Sequence, residues 1–251
     1  MLESIEFNPS WRWAAYGKHP VVRDYFWLGE KFPLGNGFSE WVENGYRRLT
    51  SKRDSMTDHY SWRFWARGPK RGVLACGILR DSSDRIGRPY PLLIMGMGPL
   101  KGWEDQWDLL PYACEKTWDH IEYLSSIMVN DFKKLEAEIH NIRSPNPEWE
   151  ELRRQRGDLE EGEKHPTTVS GRPEGFVLLE QGSSHDQFNQ ICLYHLLFKK
   201  GGKGIPHILF MGGNLEETSL VFYQRPLIPD DFVQLWSLSF TGIENGSLTA
   251  G

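Results

Sequence analysis

The segment Arg80-Asp81-Ser82-Ser83-Asp84-Arg85-Ile86-Gly87-Arg88-Pro89-Tyr90-Pro91 holds the residues best suited to chemistry or recognition. Asp84 stands just before Ile86-Gly87, where its carboxylate can accept the N–H groups of a turn and Gly87 can take a positive φ. Arg85 and Arg88 offer planar forks that match carboxylates, phosphates or carbonyls. Two readings stay open from these residues alone. Asp and Arg staple the loop internally onto the sheet, or they form an edge that recognises a partner. A third possibility is an enzyme acting on a phosphorylated substrate, because α/β folds place ligands at the ends of apolar strands. Such an enzyme needs a nucleophile, base or metal-ligand set, and the sequence offers only Asp84 and Asp24 nearby.

Other constellations fall short of a mechanism. Met95-Gly96-Met97-Gly98-Pro99-Leu100-Lys101-Gly102 follows an apolar run, yet Lys101 stands where a dinucleotide loop needs its third glycine. Gly201-Gly202-Lys203-Gly204 lacks both the Ser/Thr and the upstream glycine of a phosphate loop. The eight histidines form no close pair with metal-ligand spacing. No Gly-x-Ser-x-Gly elbow is present. Cys192 and His195 are three apart on one helical face, but an apolar face keeps a thiol protonated and inert. Glu104, Asp105 and Asp108 read as a solvated helix start. No cofactor and no metal are expected, and the protein is not expected to be an enzyme.

The elements that position these residues follow from periodicity. Trp11 and Trp13 alternate as in a strand, and Tyr25-Phe26-Trp27-Leu28 reads as a short buried segment. Phe38, Trp41, Val42, Gly45, Tyr46 and Leu49 form one apolar stripe, which predicts a helix over 36–52 capped by Asn36 or Ser39. Strands are predicted at 60–67, 72–79 and 90–97, the last two apolar enough to be buried on both faces. Helices are predicted within 103–142 and over 148–156, and a polar, exposed connection over 157–173. A strand at 176–179, a helix at 186–198, strands at 206–211 and 219–223, a helix at 229–236 and a frayed tail at 244–251 complete the chain. Strands flanked by helices at both ends predict an α/β fold, a three-layer α/β/α sandwich with a mixed sheet. The 251 residues read as a single domain. Its signature part covers about 11–142, a charged connection about 143–173, and a C-terminal α/β part 174–243.

Composition narrows the partners. The net charge is −5 with no long basic run, so no nucleic acid is expected. Cys76, Cys114 and Cys192 are scattered and odd in number, which points to free thiols in a reducing compartment. The first ten residues lack the basic and apolar regions of a signal peptide, and no run approaches the ~20 apolar residues of a membrane span. A cytoplasmic protein without membrane insertion is expected. Eleven Trp read as core residues, with a surface aromatic patch for a protein partner as the alternative.

Ser82-Ser83-Asp84-Arg85-Ile86-Gly87-Arg88-Pro89-Tyr90-Pro91-Leu92 resembles the signature of the TagF/ImpM family of type VI secretion proteins. Ser61-Trp62-Arg63-Phe64 resembles a second family segment, and Tyr16-Gly17-Lys18-His19-Pro20 with Asp24-Tyr25-Phe26 a third. Ile208-Leu209-Phe210-Met211-Gly212-Gly213 and Leu227-Ile228-Pro229-Asp230-Asp231-Phe232 extend the likeness towards the C-terminus. Arg23, Asp81 and Pro89 depart from the pattern, standing where the family has Gly, Pro and an aromatic residue. The resemblance implies a three-layer sandwich and a non-catalytic, post-translational repressor of type VI secretion. It also implies a partner, the forkhead-associated scaffold protein of that system, with a threonine kinase/phosphatase pathway nearby. A structural component of the secretion apparatus is the blander alternative. Lys18, Asp24, Trp62, Arg63, Asp84, Arg85 and Arg88 are the signature or partner-binding positions. Among them Asp84 and Arg85 are expected to shape the fold, and Arg88 and Lys18 to be reachable by a partner.

Overall fold

A computed structural model describes residues 10–52, 59–126, 131–157, 174–202 and 204–237. Most of the connection 157–173, and the tail 244–251, lie outside them. The chain begins with the hairpin β1 (Arg12–Gly17) and β2 (Phe26–Gly29), then α1 (Pro33–Lys52). Three long strands follow: β3 (Ser61–Arg67), β4 (Val73–Arg80) and β5 (Leu92–Pro99). A kinked 3₁₀ segment (Trp103–Leu109) leads into α2 (Leu110–Ser126), α3 (Phe132–His140) and α4 (Trp149–Arg156). The remainder is β6 (Glu174–Leu178), α5 (Ser184–Lys200), β7 (Ile208–Gly213), β8 (Thr218–Tyr223) and α6 (Pro229–Leu235).

The strands form one eight-stranded sheet in the order β2-β1-β5-β4-β3-β7-β8-β6. Every pairing is antiparallel. The α/β sandwich is therefore as expected, but the sheet is not mixed. β3–β4, β4–β5 and β7–β8 are joined by loops too short for a parallel crossover, so each reverses its strand, while β1–β5, β3–β7 and β6–β8 pair distant segments whose direction only the tertiary structure sets. The pairing of β3 with β7 carries one sheet through both the N-terminal part and the part after residue 174.

Side chains alternate along β3 and build both cores at once. Trp62 and Phe64 point to one face, where Phe38, Trp41, Val42 and Leu49 of α1 meet Phe232 and Trp236 at α6. Trp65 points to the other, against Trp103, Trp107, Trp118 of α2 and Phe198 of α5. The helices of the two faces give the three layers. Trp62, Trp65, Trp103, Trp118 and Trp236 are all fully buried, so much of the tryptophan excess is core. Helix α4 sits outermost, with Leu152 against Leu109, Ala113 and Cys192.

Helix α1 begins at Pro33, so Asn36 and Ser39 lie inside it and do not cap it. Proline suits this first-turn place because its missing N–H has no helical acceptor there. Gly45 is required by packing, since a Cβ would stand 2.2 Å from the Phe232 Cβ of α6. Helix α5 starts at Ser184, two residues before the predicted 186. Ser183 accepts from the Asp186 N–H and Asp186 accepts from the Ser183 N–H, a reciprocal cap.

Candidate functional site

The loop between β4 and β5 folds around one carboxylate. The Gly87 N–H donates to the Asp84 carbonyl at 2.9 Å, closing a turn in which Gly87 has φ +82°. Asp84 Oδ1 accepts the N–H groups of Ile86 (3.1 Å) and Arg88 (3.0 Å). Asp84 Oδ2 accepts from Arg88 Nε (2.6 Å) and pairs with Lys18 Nζ (3.1 Å). The Asp84 side chain is shielded from solvent. Burial alone would raise its carboxyl, but the Arg88 N–H, the Lys18 ammonium, the Arg88 guanidinium and the Ile86 N–H outweigh it. The carboxyl is held well below the usual carboxylate range.

The same contacts fasten the β4–β5 loop to the β1–β2 loop. The Arg85 N–H donates to the Val22 carbonyl at 2.7 Å, and Arg88 Nη2 to the Arg23 carbonyl at 2.6 Å. Lys18 Nζ lies 4.8 Å from the centre of the Tyr25 ring, which meets Tyr90 edge-on at 4.6 Å. Gly17 lets the two loops meet: its φ is +122°, and a Cβ would stand 2.0 Å from the Pro91 carbonyl oxygen.

This arrangement corrects two assignments. Lys18 is buried, only 4% exposed, and is therefore an internal staple that a partner cannot reach. Arg85 is the reverse, exposed and without a side-chain partner among the described residues. Arg88 does both jobs: it holds Asp84 and the Arg23 carbonyl while half its side chain faces solvent. Asp24 is exposed, accepts its neighbour Tyr25's N–H at 2.8 Å, and lies 3.9 Å from Arg88.

Trp62 and Arg63 lie elsewhere. Trp62 is fully buried in the α1 face of the sheet and serves the core. Arg63 leaves the opposite face and bonds Glu122 through Nε (2.7 Å) and Nη2 (2.8 Å), and Asp119 at 3.1 Å, tying β3 to α2. Burial works against its charge, and the two carboxylates more than compensate. Arg63→Ala is expected to cost about 2 kcal/mol, the range of charged hydrogen bonds. Thermal melts of Arg63→Ala, Glu122→Gln and the double variant check it, the double costing less than the sum.

Sequence reasoning missed the settings of four residues. Tyr25, expected to be buried, is 54% exposed, and Ile86 is 68% exposed at the turn tip. The visible signal was an apolar residue set between Arg85 and Gly87 in a polar turn. Asp108 is buried and paired with Arg156 and Lys199, both at 2.5 Å, and is no part of a solvated helix start. Asp81 receives the Tyr60 N–H at 2.8 Å and the Trp236 indole N–H at 2.7 Å, joining the end of α6 to the sheet. It lines a polar groove of ≈ 510 Å³ with His59, Arg80, Ser82 and Ser83. Arg80 there donates to the Ser125 (2.9 Å) and Ser126 (3.2 Å) hydroxyls. Among the described residues no cluster of three or more His, Cys, Asp or Glu could hold a metal ion. No described helix is long and apolar enough to cross a membrane.

A family model for the TagF N-terminal domain, associated with type VI secretion, matches residues 14–142. The chain belongs to the TagF family. The match spans β1 to α3, and so includes all seven signature positions of this TagF domain. PA0076 from Pseudomonas aeruginosa PAO1, known from a crystal structure, is similar in fold. Its TM-score is 0.50 at 15% identity, with 89% of this chain and 93% of that one covered. That likeness in fold reaches beyond the residues matched by the family model. No curated protein matches this TagF chain in sequence.

Proposed function

We propose that the chain is a cytoplasmic, non-catalytic accessory protein that holds type VI secretion in check after translation by binding the forkhead-associated scaffold protein. The observation carrying this reading is how the signature loop spends its polar groups. Both Asp84 oxygens are engaged by donors, and the carboxylate is held ionised, which leaves it unsuited as a base or nucleophile. What the two joined loops leave exposed is Arg85, Ile86 and Tyr25, and arginine and aromatic side chains are enriched in protein-binding hot spots. An enzyme working on a phosphorylated substrate at this loop lacks a reactive group there.

Arg85→Glu combined with Ile86→Asp is expected to weaken scaffold binding by at least about tenfold. Its stability should stay within about 0.5 kcal/mol of the wild type, as surface substitutions do. Pull-down and titration calorimetry with the purified scaffold measure the first effect, and thermal melts the second. In cells, deletion should raise secretion and overexpression should lower it. Unchanged secretion in both strains, with no scaffold contact, would sink the repressor reading. Turnover of phosphate esters by the purified chain would favour the enzyme. Co-sedimentation with the assembled apparatus under secreting conditions would favour a structural component.

A further inference from the structure

At the end of the sheet away from the signature loop, a groove of ≈ 470 Å³ opens between α1 and the segment joining β8 to α6. The eight residues of β4 separate it from the loop, a span of roughly 25 Å. Its floor is apolar, built by Phe38 and Trp41 of α1 with Ile208 and Leu227. Its polar rim carries Arg67, His207 and Arg225, and no described lining residue is acidic. Arg225 is committed to Asp231, but Arg67 is exposed with no ion pair among the described residues. The turn after it carries Lys70 and Arg71, exposed and without ion pairs among the described residues, but they line a neighbouring pocket with Glu104 and Asp105 rather than this groove.

A second observation concerns Gly37. It lies in the second turn of α1 and lines the groove. Glycine is among the poorest helix formers, costing about 1 kcal/mol against alanine inside a helix unless something gains from its missing side chain. Gly45 has such a neighbour in Phe232, whereas a Cβ on Gly37 meets nothing within 4 Å. The close approach that would explain Gly37 is not supplied by the described residues of the chain.

From these two observations we infer that the groove is a docking site for an acidic, apolar-anchored peptide segment of a partner protein. Leu- or Phe-type side chains enter between Phe38, Trp41 and Leu227, with the peptide backbone running close over Gly37, and a flanking carboxylate faces Arg67. This surface is separate from the one proposed for the scaffold, so it stands or falls independently of that reading.

The test uses the full chain and short fluorescein-labelled peptides of Leu, Phe and Glu, with a matched peptide in which Lys replaces Glu. Anisotropy should show binding of the acidic peptide and at least about tenfold weaker binding of the basic one. Gly37→Met should fill the groove and abolish binding while melting no lower than the wild type, since methionine is the better helix former and its Cβ meets nothing within 4 Å. Arg67→Glu should weaken binding about tenfold and reduce its salt dependence. Equal binding of both peptides, no binding of the acidic one, or full binding to Gly37→Met would overturn the assignment. So would a concentration-dependent dimer dissolved by Gly37→Met, which would give the groove to a second copy of the chain.

Discussion

Asp84→Ala is expected to melt on the order of 5–10 °C below the wild type and to lose the proposed scaffold binding with it. The substitution deletes one carboxylate but strands four donors. Two are the Ile86 and Arg88 N–H groups that close the turn. Two are cationic, and one of these, Lys18, is 4% exposed and keeps no carboxylate partner among the described residues. Removing one member of a buried pair costs more than the pair contributes, because the survivor stays desolvated. The double variant Lys18→Met, Asp84→Ala should therefore recover part of the lost melting temperature. Asp84→Asn, which keeps an oxygen for the turn but not the charge, should fall between. The carboxyl is depressed in the folded state, so its contribution is complete above the unfolded value near 4 and is lost as pH falls below it. An Asp84→Ala protein that melts like the wild type yet fails to bind the scaffold would make Asp84 a recognition residue.

The second large effect is acid destabilisation through His195, on the α2 side of the sheet. Its ring is fully buried. Nε2 accepts the Trp65 indole N–H at 3.0 Å, so the proton sits on Nδ1, which donates to the Ile191 carbonyl at 2.8 Å. A second proton would set one N–H against another in a pocket walled by Trp65 and Trp107. Burial pushes its pKa down to about 4, against smaller upward effects of the Ile191 carbonyl and Asp108. The unfolded chain binds this proton near 6.5, the folded chain only near 4, so stability falls as pH drops through that window. The slope approaches about 1.4 kcal/mol per pH unit, and about 3 kcal/mol is lost across it. Urea titrations between pH 7.5 and 5 should show this for the wild type. His195→Gln should start lower, with disturbed packing, yet show a much flatter dependence. His19, also lowered by burial, leaves a residual slope. Parallel curves for the two proteins would refute the assignment.

His195 also shows where local reasoning ends. Its place on an apolar helix face was legible, and so was the prospect of contact with Cys192 three residues away. The hydrogen-bond partner is instead Trp65, 130 positions earlier, while burial pushes the Cys192 thiol up to about 12. All three cysteines are free and buried, as their scatter in apolar surroundings implied.

What the sequence determined by itself is whatever rests on neighbours within a turn or a strand. The buried strands β4 and β5 follow from unbroken apolar runs, the stripe of α1 from a period of about 3.6 residues, and the acidic start of α6 from end chemistry. The Asp84–Gly87 turn follows from an acceptor placed two residues before its donor. The tertiary structure alone decided which strand lies beside which, and so that the sheet is antiparallel throughout. It alone decided which charges are covered. Lys18 is buried because the β4–β5 loop brings Asp84 and Arg88 over it, and Asp108 because α4 and α5 supply Arg156 and Lys199. Arg85, Ile86 and Tyr25 are left in solvent because no described element packs over the two joined loops. Periodicity reports which face of an element is apolar. It carries no information on the distant segment that covers that face, and for a charged side chain the presence or absence of that segment is the whole difference between a staple and a contact.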